Sequence, residues 1–422
     1  MIITLPIIML LFLWFMNTKI LKGNYTLFNP ISIVIYVWII VFISHHLFYD
    51  EEPYTFDAYL WITVGLTTLA IGFWLTANAR IIVGKKNYDI NREYNIAGVG
   101  RIVRKTSALE ILRLIYYIYH ILFVLSGRSI HTFLTNNTYV RYRYLSYNPG
   151  MVWNLFEFFA NSICMVSYVF LGVLFAKKAK HSKMLVILWT VTEVLIAIIT
   201  MSRLCLIMYI IAFGISYLYN TDSVREERKT FLKFMPLVVV GVFAFLMLIG
   251  MQRNYMASGD LRKIVIDKIF IYFAGPTEAF GKYLSLYPSN IEMGQRTFAI
   301  FARILDQFGF ISNDIVTARG TFIEIGDSIT NVYTWFRTFY LDFSYVGIIV
   351  VPFFFGIISG AMYNKRDSNF ITCAANSWIC VTFFFSFFSY MWGKTVYVFV
   401  IILAYIFHRL LKTQIYTTAE GD

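Results

Sequence analysis

Charge is scarce in this chain. Only 14% of its 422 residues are Asp, Glu, Lys or Arg, where soluble domains carry about a quarter. Proline (8), histidine (6) and cysteine (4) are also few. The familiar signatures of soluble enzymes are missing: there is no P-loop, no HExxH, no G-x-S-x-G and no paired CxxC. These absences argue against a soluble enzyme, and no cofactor or metal site is expected. All four cysteines (Cys164, Cys205, Cys373, Cys380) fall inside apolar runs, so they read as small packing residues and not as disulfides.

What the chain does have is apolar length. It is 59% hydrophobic, with 41 Phe and 30 Tyr, and its apolar runs reach the ~20 residues that cross a bilayer. The sequence predicts an all-α polytopic membrane protein with eleven spans, near 2–17, 28–49, 58–77, 109–126, 152–176, 184–201, 204–219, 234–251, 345–362, 370–389 and 396–411. Met1 to Asn17 lacks a basic flank and a small-residue cleavage site, so it reads as a retained first span. The net charge of +12 could mean nucleic acid, but most of the excess lies in short loops between spans, where it is a topology signal. No nucleic-acid partner is expected.

Lys19, Lys22, the cations from Arg80 to Lys105, the run Lys177 to Lys183, the run Arg225 to Lys233, Lys365, Arg366, Arg409 and Lys412 gather on one side. By the positive-inside rule that side is cytoplasmic. The N-terminus is then extracytoplasmic and the C-terminus cytoplasmic. The basic stretch 78–108, broken by Gly98 and Gly100, reads as a cytoplasmic connector and stop-transfer anchor near anionic lipid. No fixed-period repeat is visible.

The stretch between spans eight and nine, 252–344, has no hydrophobic span and lies outside the membrane in this topology. It balances nine Lys or Arg against nine acids and is rich in aromatics, unlike a solvated linker. It therefore reads as a folded extracytoplasmic loop pressed on the membrane and forming part of an active site. Two segments have helical spacing, Asp267 to Leu286, interrupted at Gly275-Pro276, and Phe298 to Phe308. The second suits a helix lying in the interface plane.

Cations at the outer face are the residues with chemistry to offer. Arg203 sits in the tight turn Thr200-Met201-Ser202-Arg203, Arg253 closes span eight, Arg296 follows Gly294, Arg337 precedes span nine, and Lys394 occupies the turn Trp392-Gly393-Lys394. Converging guanidinium groups would suit a diphosphate, whose oxygens they bind bidentately. Each alone could equally snorkel to headgroups. Glu278, after a helix break, and Asp342, at the mouth of span nine, are the candidate bases; a salt bridge holding the loop is the plainer alternative for either. Glu193 lies mid-span, where an acid is either functional or bonded to a neighbouring span. His120 and His131 read as structural. Apart from Glu193 and His120, the mid-span region reads as nearly uncharged. Asp50-Glu51-Glu52 in the first outer loop could hold a divalent metal or activate an acceptor, or simply cap the outer face. Tyr272, Tyr283, Trp335 and Tyr340 could stack on sugars or anchor the interface.

Eleven spans, a large late extracytoplasmic loop and an outer arginine set resemble the bacterial O-antigen and oligosaccharide repeat-unit polymerases of the Wzy type. The run from Tyr272 to Phe280, then Gly294-Gln295-Arg296-Thr297-Phe298, is similar to that family's loop. So is Val332-Tyr333-Thr334 through Tyr340-Leu341-Asp342-Phe343-Ser344 to Gly347. The resemblance implies an inner-membrane glycosyltransferase that moves a growing glycan from undecaprenyl diphosphate onto the terminal sugar of a lipid-linked repeat unit. It implies Arg203, Arg253, Arg296 and Arg337 on the diphosphate, Glu278 or Asp342 near the acceptor, and a chain-length regulator as partner. Two rivals stay open. One is a transferase of the GT-C type that adds single sugars from a polyprenyl-phosphate donor through Asp50, Glu51 or Glu52. The other is a flippase or exporter of lipid-linked glycans.

Overall fold

The computed structural model describes residues 3–21, 26–48, 55–78, 96–125, 144, 148–200, 202, 204–221, 229, 270–286, 291–310, 323–325, 328–366 and 370–419. In chain order its helices are α1 (Thr4–Leu21), α2 (Pro30–Phe48), α3 (Thr55–Ala77) and α4 (Ile96–Tyr117), the last continued by a π-helical stretch Ile118–Leu125. Then follow α5 (Met151–Ala176), α6 (Ser182–Thr200), α7 (Leu204–Tyr219), a π turn Phe270–Ala274 leading into α8 (Gly275–Leu286), and α9 (Ala299–Gln307). A short antiparallel hairpin pairs β1 (Ile323–Ile325) with β2 (Ser328–Thr330), Ile323 opposite Thr330. The chain ends through α10 (Trp335–Asn364), α11 (Phe370–Phe384) and α12 (Thr395–Ala419).

The protein is a helical membrane protein. Among the described residues, seven helices are long and apolar enough to cross a bilayer: α1, α2, α3, α5, α6, α10, and α11 with its 3-10 extension to Phe387. The expected spans 204–219 and 396–411 correspond to shorter apolar helices, and 109–126 lies on α4 and its π-helical continuation. The expected span 234–251 lies outside the described residues.

The chain groups into two compact units. The first joins Met1–Asn87, Ile266–Ser368 and Trp378–Val398; the second joins Tyr88–Val265, Asn369–Ser377 and Phe399–Asp422. In the first unit α3 lies against α10 so closely that glycines are required. A Cβ on Gly72 would stand 2.1 Å from the Phe353 carbonyl oxygen, one on Gly356 2.2 Å from that of Leu69, and one on Gly360 2.3 Å from that of Phe73. Small residues let helix backbones meet where no water drives association. Polar side chains tie α1 to α2 and α3: Asn17 Nδ2 donates to Asn29 Oδ1 at 3.0 Å and to Ser32 Oγ at 3.1 Å, and Trp74 Nε1 donates to Asn17 Oδ1 at 3.0 Å.

Helix α10 does not run straight. Its helical geometry breaks at Phe343 and Ser344, where Ser344 takes φ 56°, and not at the internal Pro352. Beyond the break Gly347 comes so near the arm before the kink that a Cβ would meet the Phe339 carbonyl oxygen at 2.2 Å. The kink separates the 335–342 arm, in the loop read from the sequence, from the apolar span that follows.

Helix α9 forms where the apolar spacing predicted one. Its small residues Ala299 and Ala302 are buried, while Phe298, Phe301, Ile304, Leu305 and Phe308 are exposed. A contiguous outward row of large apolar side chains suits a helix lying in the membrane interface. The expected interruption at Gly275-Pro276 takes another form: the π turn passes directly into the first turn of α8, where the missing proline N–H costs nothing.

In the second unit α5 is buried on every side from Cys164 to Leu174, so α4, α6 and α7 surround it. Ser216 Oγ of α7 donates to the Val169 carbonyl of α5 at 2.7 Å, and Phe170 stacks on Phe370 at 3.9 Å between ring centroids. All four cysteines are free, and Cys164, Cys373 and Cys380 are buried.

Gly72→Ala puts a methyl group into the α3–α10 contact. Overpacking of this kind costs about 1–3 kcal/mol, so detergent-solubilised Gly72→Ala is expected to melt well below wild type, while Gly100→Ala, where a Cβ meets nothing within 4 Å, is expected to match it.

Candidate functional site

The first unit gathers four of the sequence-derived candidates, Glu278, Arg296, Arg337 and Asp342. Arg203, Arg253, Asp50-Glu51-Glu52 and His131 lie outside the described residues.

Glu278 is presented by α8 and is fully buried. Its partner is His45, which sequence reasoning missed. On α2, Trp38, Phe42 and His45 recur at helical spacing on one buried stripe. Trp38 is pinned by its Nε1 donating to Ser386 Oγ at 2.9 Å, and Phe42 meets the edge of Tyr59 at 4.8 Å. That face leaves His45 Nε2 3.3 Å from Glu278 Oε2 and His45 Nδ1 2.8 Å from the Tyr59 hydroxyl. In a neutral imidazole, Nε2–H donates to the carboxylate and Nδ1 accepts the phenol proton; both nitrogens donate in the imidazolium. Tyr59, His45 and Glu278 thus form one chain through which a proton can be held or passed. Lys282 Nζ, a turn along α8, stands 3.9 Å from Glu278 Oε1. That oxygen is buried and accepts no hydrogen bond among the described residues.

Asp342 works differently. It is fully buried, and its two oxygens accept from the backbone N–H groups of Arg296, at 3.1 Å, and Thr297. The 291–298 segment docks further through Glu292 N–H donating to the Leu341 carbonyl at 3.1 Å. Gly294 takes φ +85° there, against the Phe343 ring that a Cβ would meet at 2.9 Å. Tyr390 OH donates to the Thr297 carbonyl at 3.0 Å. Burial and the nearby Asp342 carboxylate push the Tyr390 phenol well up, so it stays a donor. Asp342 therefore fixes the backbone that carries Arg296. The Arg296 guanidinium is in turn held by Glu292 through Nε and, at 3.1 Å, through Nη2.

Arg337 lies over two phenol faces, 3.9 Å from the Tyr333 centroid and 4.5 Å from that of Tyr283. Stacking of this kind orients a guanidinium. Tyr283 follows Lys282 directly on α8 and meets Tyr340 at 6.5 Å, so the Glu278 and Asp342 clusters are joined by an aromatic bridge. Tyr283, Trp335 and Tyr340 are buried and serve that bridge and the core; Tyr272 is only partly buried. Lys394 is exposed.

In the second unit the expectation of a nearly uncharged mid-span region is corrected. Glu110 and Arg113 of α4 are buried with Glu193 of α6. Arg113 is the one basic side chain that counting cations by loop leaves unassigned. The signal was present as Glu110 and Arg113 at i,i+3 spacing at the start of an apolar run, and a loop-based charge count passes over it. Glu193 bonds to neighbouring helices, through Arg113 and Tyr168. His120 packs among Tyr116, Tyr119 and Trp153. His45 also had a signal, His45-His46 at the end of span two, but its pairing with a residue far along the chain is a tertiary fact.

No family model matches the chain, and no curated protein or solved structure matches it.

Asp342→Ala is expected to orphan two N–H groups at about 1–3 kcal/mol for each buried one. Hydrogen exchange across 291–298 should rise while α2 and α3 stay protected. Asp342→Asn keeps one acceptor and should lose less. Exchange unchanged in Asp342→Ala would contradict the anchoring role.

Proposed function

We propose that the chain is a polysaccharide polymerase of the bacterial inner membrane. In this reading it has eleven spans, an extracytoplasmic N-terminus, a cytoplasmic C-terminus and a catalytic loop on the outer face. It transfers a growing glycan from undecaprenyl diphosphate to the terminal sugar of a lipid-linked repeat unit, for O-antigen or capsule, with a chain-length regulator as partner.

The observation that carries this reading is Glu278. A buried carboxylate with one oxygen held by His45 and the other accepting no hydrogen bond among the described residues has the form of a base awaiting a hydroxyl. The acceptor hydroxyl gives its proton to Glu278 as its oxygen bonds to the donor's anomeric carbon. The bond from that carbon to the diphosphate oxygen breaks, and undecaprenyl diphosphate leaves with the electron pair. Charge growing on the diphosphate is met by Arg296 and Arg337. Asp342 is a positioning residue for Arg296. The exposed apolar row of α9 suits a lipid-borne substrate, whose diphosphate lies at headgroup depth.

The flippase reading has one observation of its own, the buried ionisable cluster of the second unit. Passage of lipid-linked glycan across proteoliposomes with no change in its length would select it.

Purified protein given a lipid-linked repeat unit is expected to build a ladder of longer lipid-linked glycans, and EDTA should not abolish it. Arg296→Ala and Arg337→Ala should each slow the reaction about 10²–10³-fold, the usual cost of one transition-state donor. Glu278→Gln should stop it while leaving lipid-linked substrate bound. No ladder from folded wild type with the authentic repeat unit would overturn the polymerase. A divalent-metal requirement lost with Glu51→Gln or Glu52→Gln would select the single-sugar transferase.

A further inference from the structure

The second unit buries a charge cluster that the glycosyl-transfer reading does not use. Glu110 and Arg113 of α4, Tyr168 of α5 and Glu193 of α6 are each 0–1% exposed. Arg113 Nη2 donates to Glu110 Oε1 at 3.0 Å and to Glu193 Oε1, and Tyr168 OH donates to that same Glu193 oxygen. Two carboxylates therefore share one guanidinium. Glu110 Oε2 and Glu193 Oε2 are both buried without a hydrogen-bond partner among the described residues. The other titratable groups acting on the cluster are Cys164, Cys205, Tyr209 and Tyr117; the Thr192 hydroxyl also lies beside Glu110. None of these supplies a second positive charge.

Such an arrangement is short of one proton. With both carboxylates ionised, one negative charge is left over in a medium where an unpaired charge is prohibitively costly. One proton removes the surplus and turns an acceptor-only oxygen into a donor.

A hydrogen-bond network ties the cluster to Glu157. Arg113 Nη1 donates to Asn161 Oδ1 at 3.1 Å, Asn161 Nδ2 to Tyr117 OH at 3.4 Å, and Tyr117 OH to Glu157 Oε1 at 3.0 Å. Tyr116 and Tyr144 also donate to Glu157. Glu157 is partly exposed near the start of α5, whose first residues are open to the surroundings. From Glu157 to Tyr168 the helix rises about 16 Å, roughly half of a hydrocarbon core ~30 Å thick.

We propose that Glu110 and Glu193 bind one proton between them. The site is a proton-binding centre within the helices of the second unit, independent of the glycosyl-transfer reading. Ionisable groups inside membrane helices are rare, and they commonly mark proton relays.

Infrared difference spectroscopy of the full-length protein in nanodiscs, titrated through the neutral range in H₂O and D₂O, tests this. Wild type is expected to show the carbonyl stretch of a buried protonated carboxylic acid, shifted in D₂O. Glu110→Gln and Glu193→Gln should each lose that band. Glu193→Asp, which keeps the acid and guards against misfolding of the Gln variants, should retain it at a shifted frequency. No band in wild type, or a band unmoved in the Glu110 and Glu193 variants, overturns the proposal.

Discussion

A carboxylate enclosed by apolar helices has no water to solvate it, and this single constraint organises both halves of the molecule. The cost of an isolated buried charge is so large that each buried acid must find a partner. Glu278 finds His45, which binds α8 to α2. Glu193 finds Arg113 and Tyr168, which bind α6 to α4 and α5. Asp342 finds the backbone N–H groups of Arg296 and Thr297, which binds the 291–298 segment to the arm of α10. Each bond joins residues far apart in sequence. Breaking one leaves a charge or a donor stranded, so these contacts fix the arrangement of segments more firmly than their net energies alone would.

Around them the first unit is rigid for a plainer reason. Where Gly72, Gly356 and Gly360 let α3 and α10 touch backbone to backbone, there is no room for either helix to slide. The α10 kink at Phe343–Ser344 then turns the 335–342 arm away from the apolar span. Arg337 lies over its tyrosines on this arm, and Asp342 can reach the segment that carries Arg296. Close helix packing supplies the platform, and the kink brings the charged residues to it.

The sequence made the membrane character legible because hydrophobic length is a local property. The α9 segment was legible for the same reason: Phe298, Phe301, Ile304, Leu305 and Phe308 fall at helical spacing, and the helix forms there with that row outward. Glu278 and Asp342 were singled out as acids at a semi-dry boundary, yet their roles diverge. Both oxygens of Asp342 are taken by backbone donors, while one oxygen of Glu278 is not. Nothing within a few residues of either acid announces that difference. Arg113 and Glu110 were passed over because a count of cations by loop has no place for a charge inside an apolar helix.

By itself the sequence determined which segments are apolar enough for a membrane and which residue types could meet a diphosphate or a hydroxyl. These follow from composition and period, which do not depend on distant parts of the chain. The tertiary structure alone decided that His45 meets Glu278, that Asp342 holds the backbone of Arg296, and that Glu110, Arg113 and Glu193 form one cluster. Those pairings depend on which faces of separate helices come together, and helix periodicity fixes a face without naming the partner it will meet.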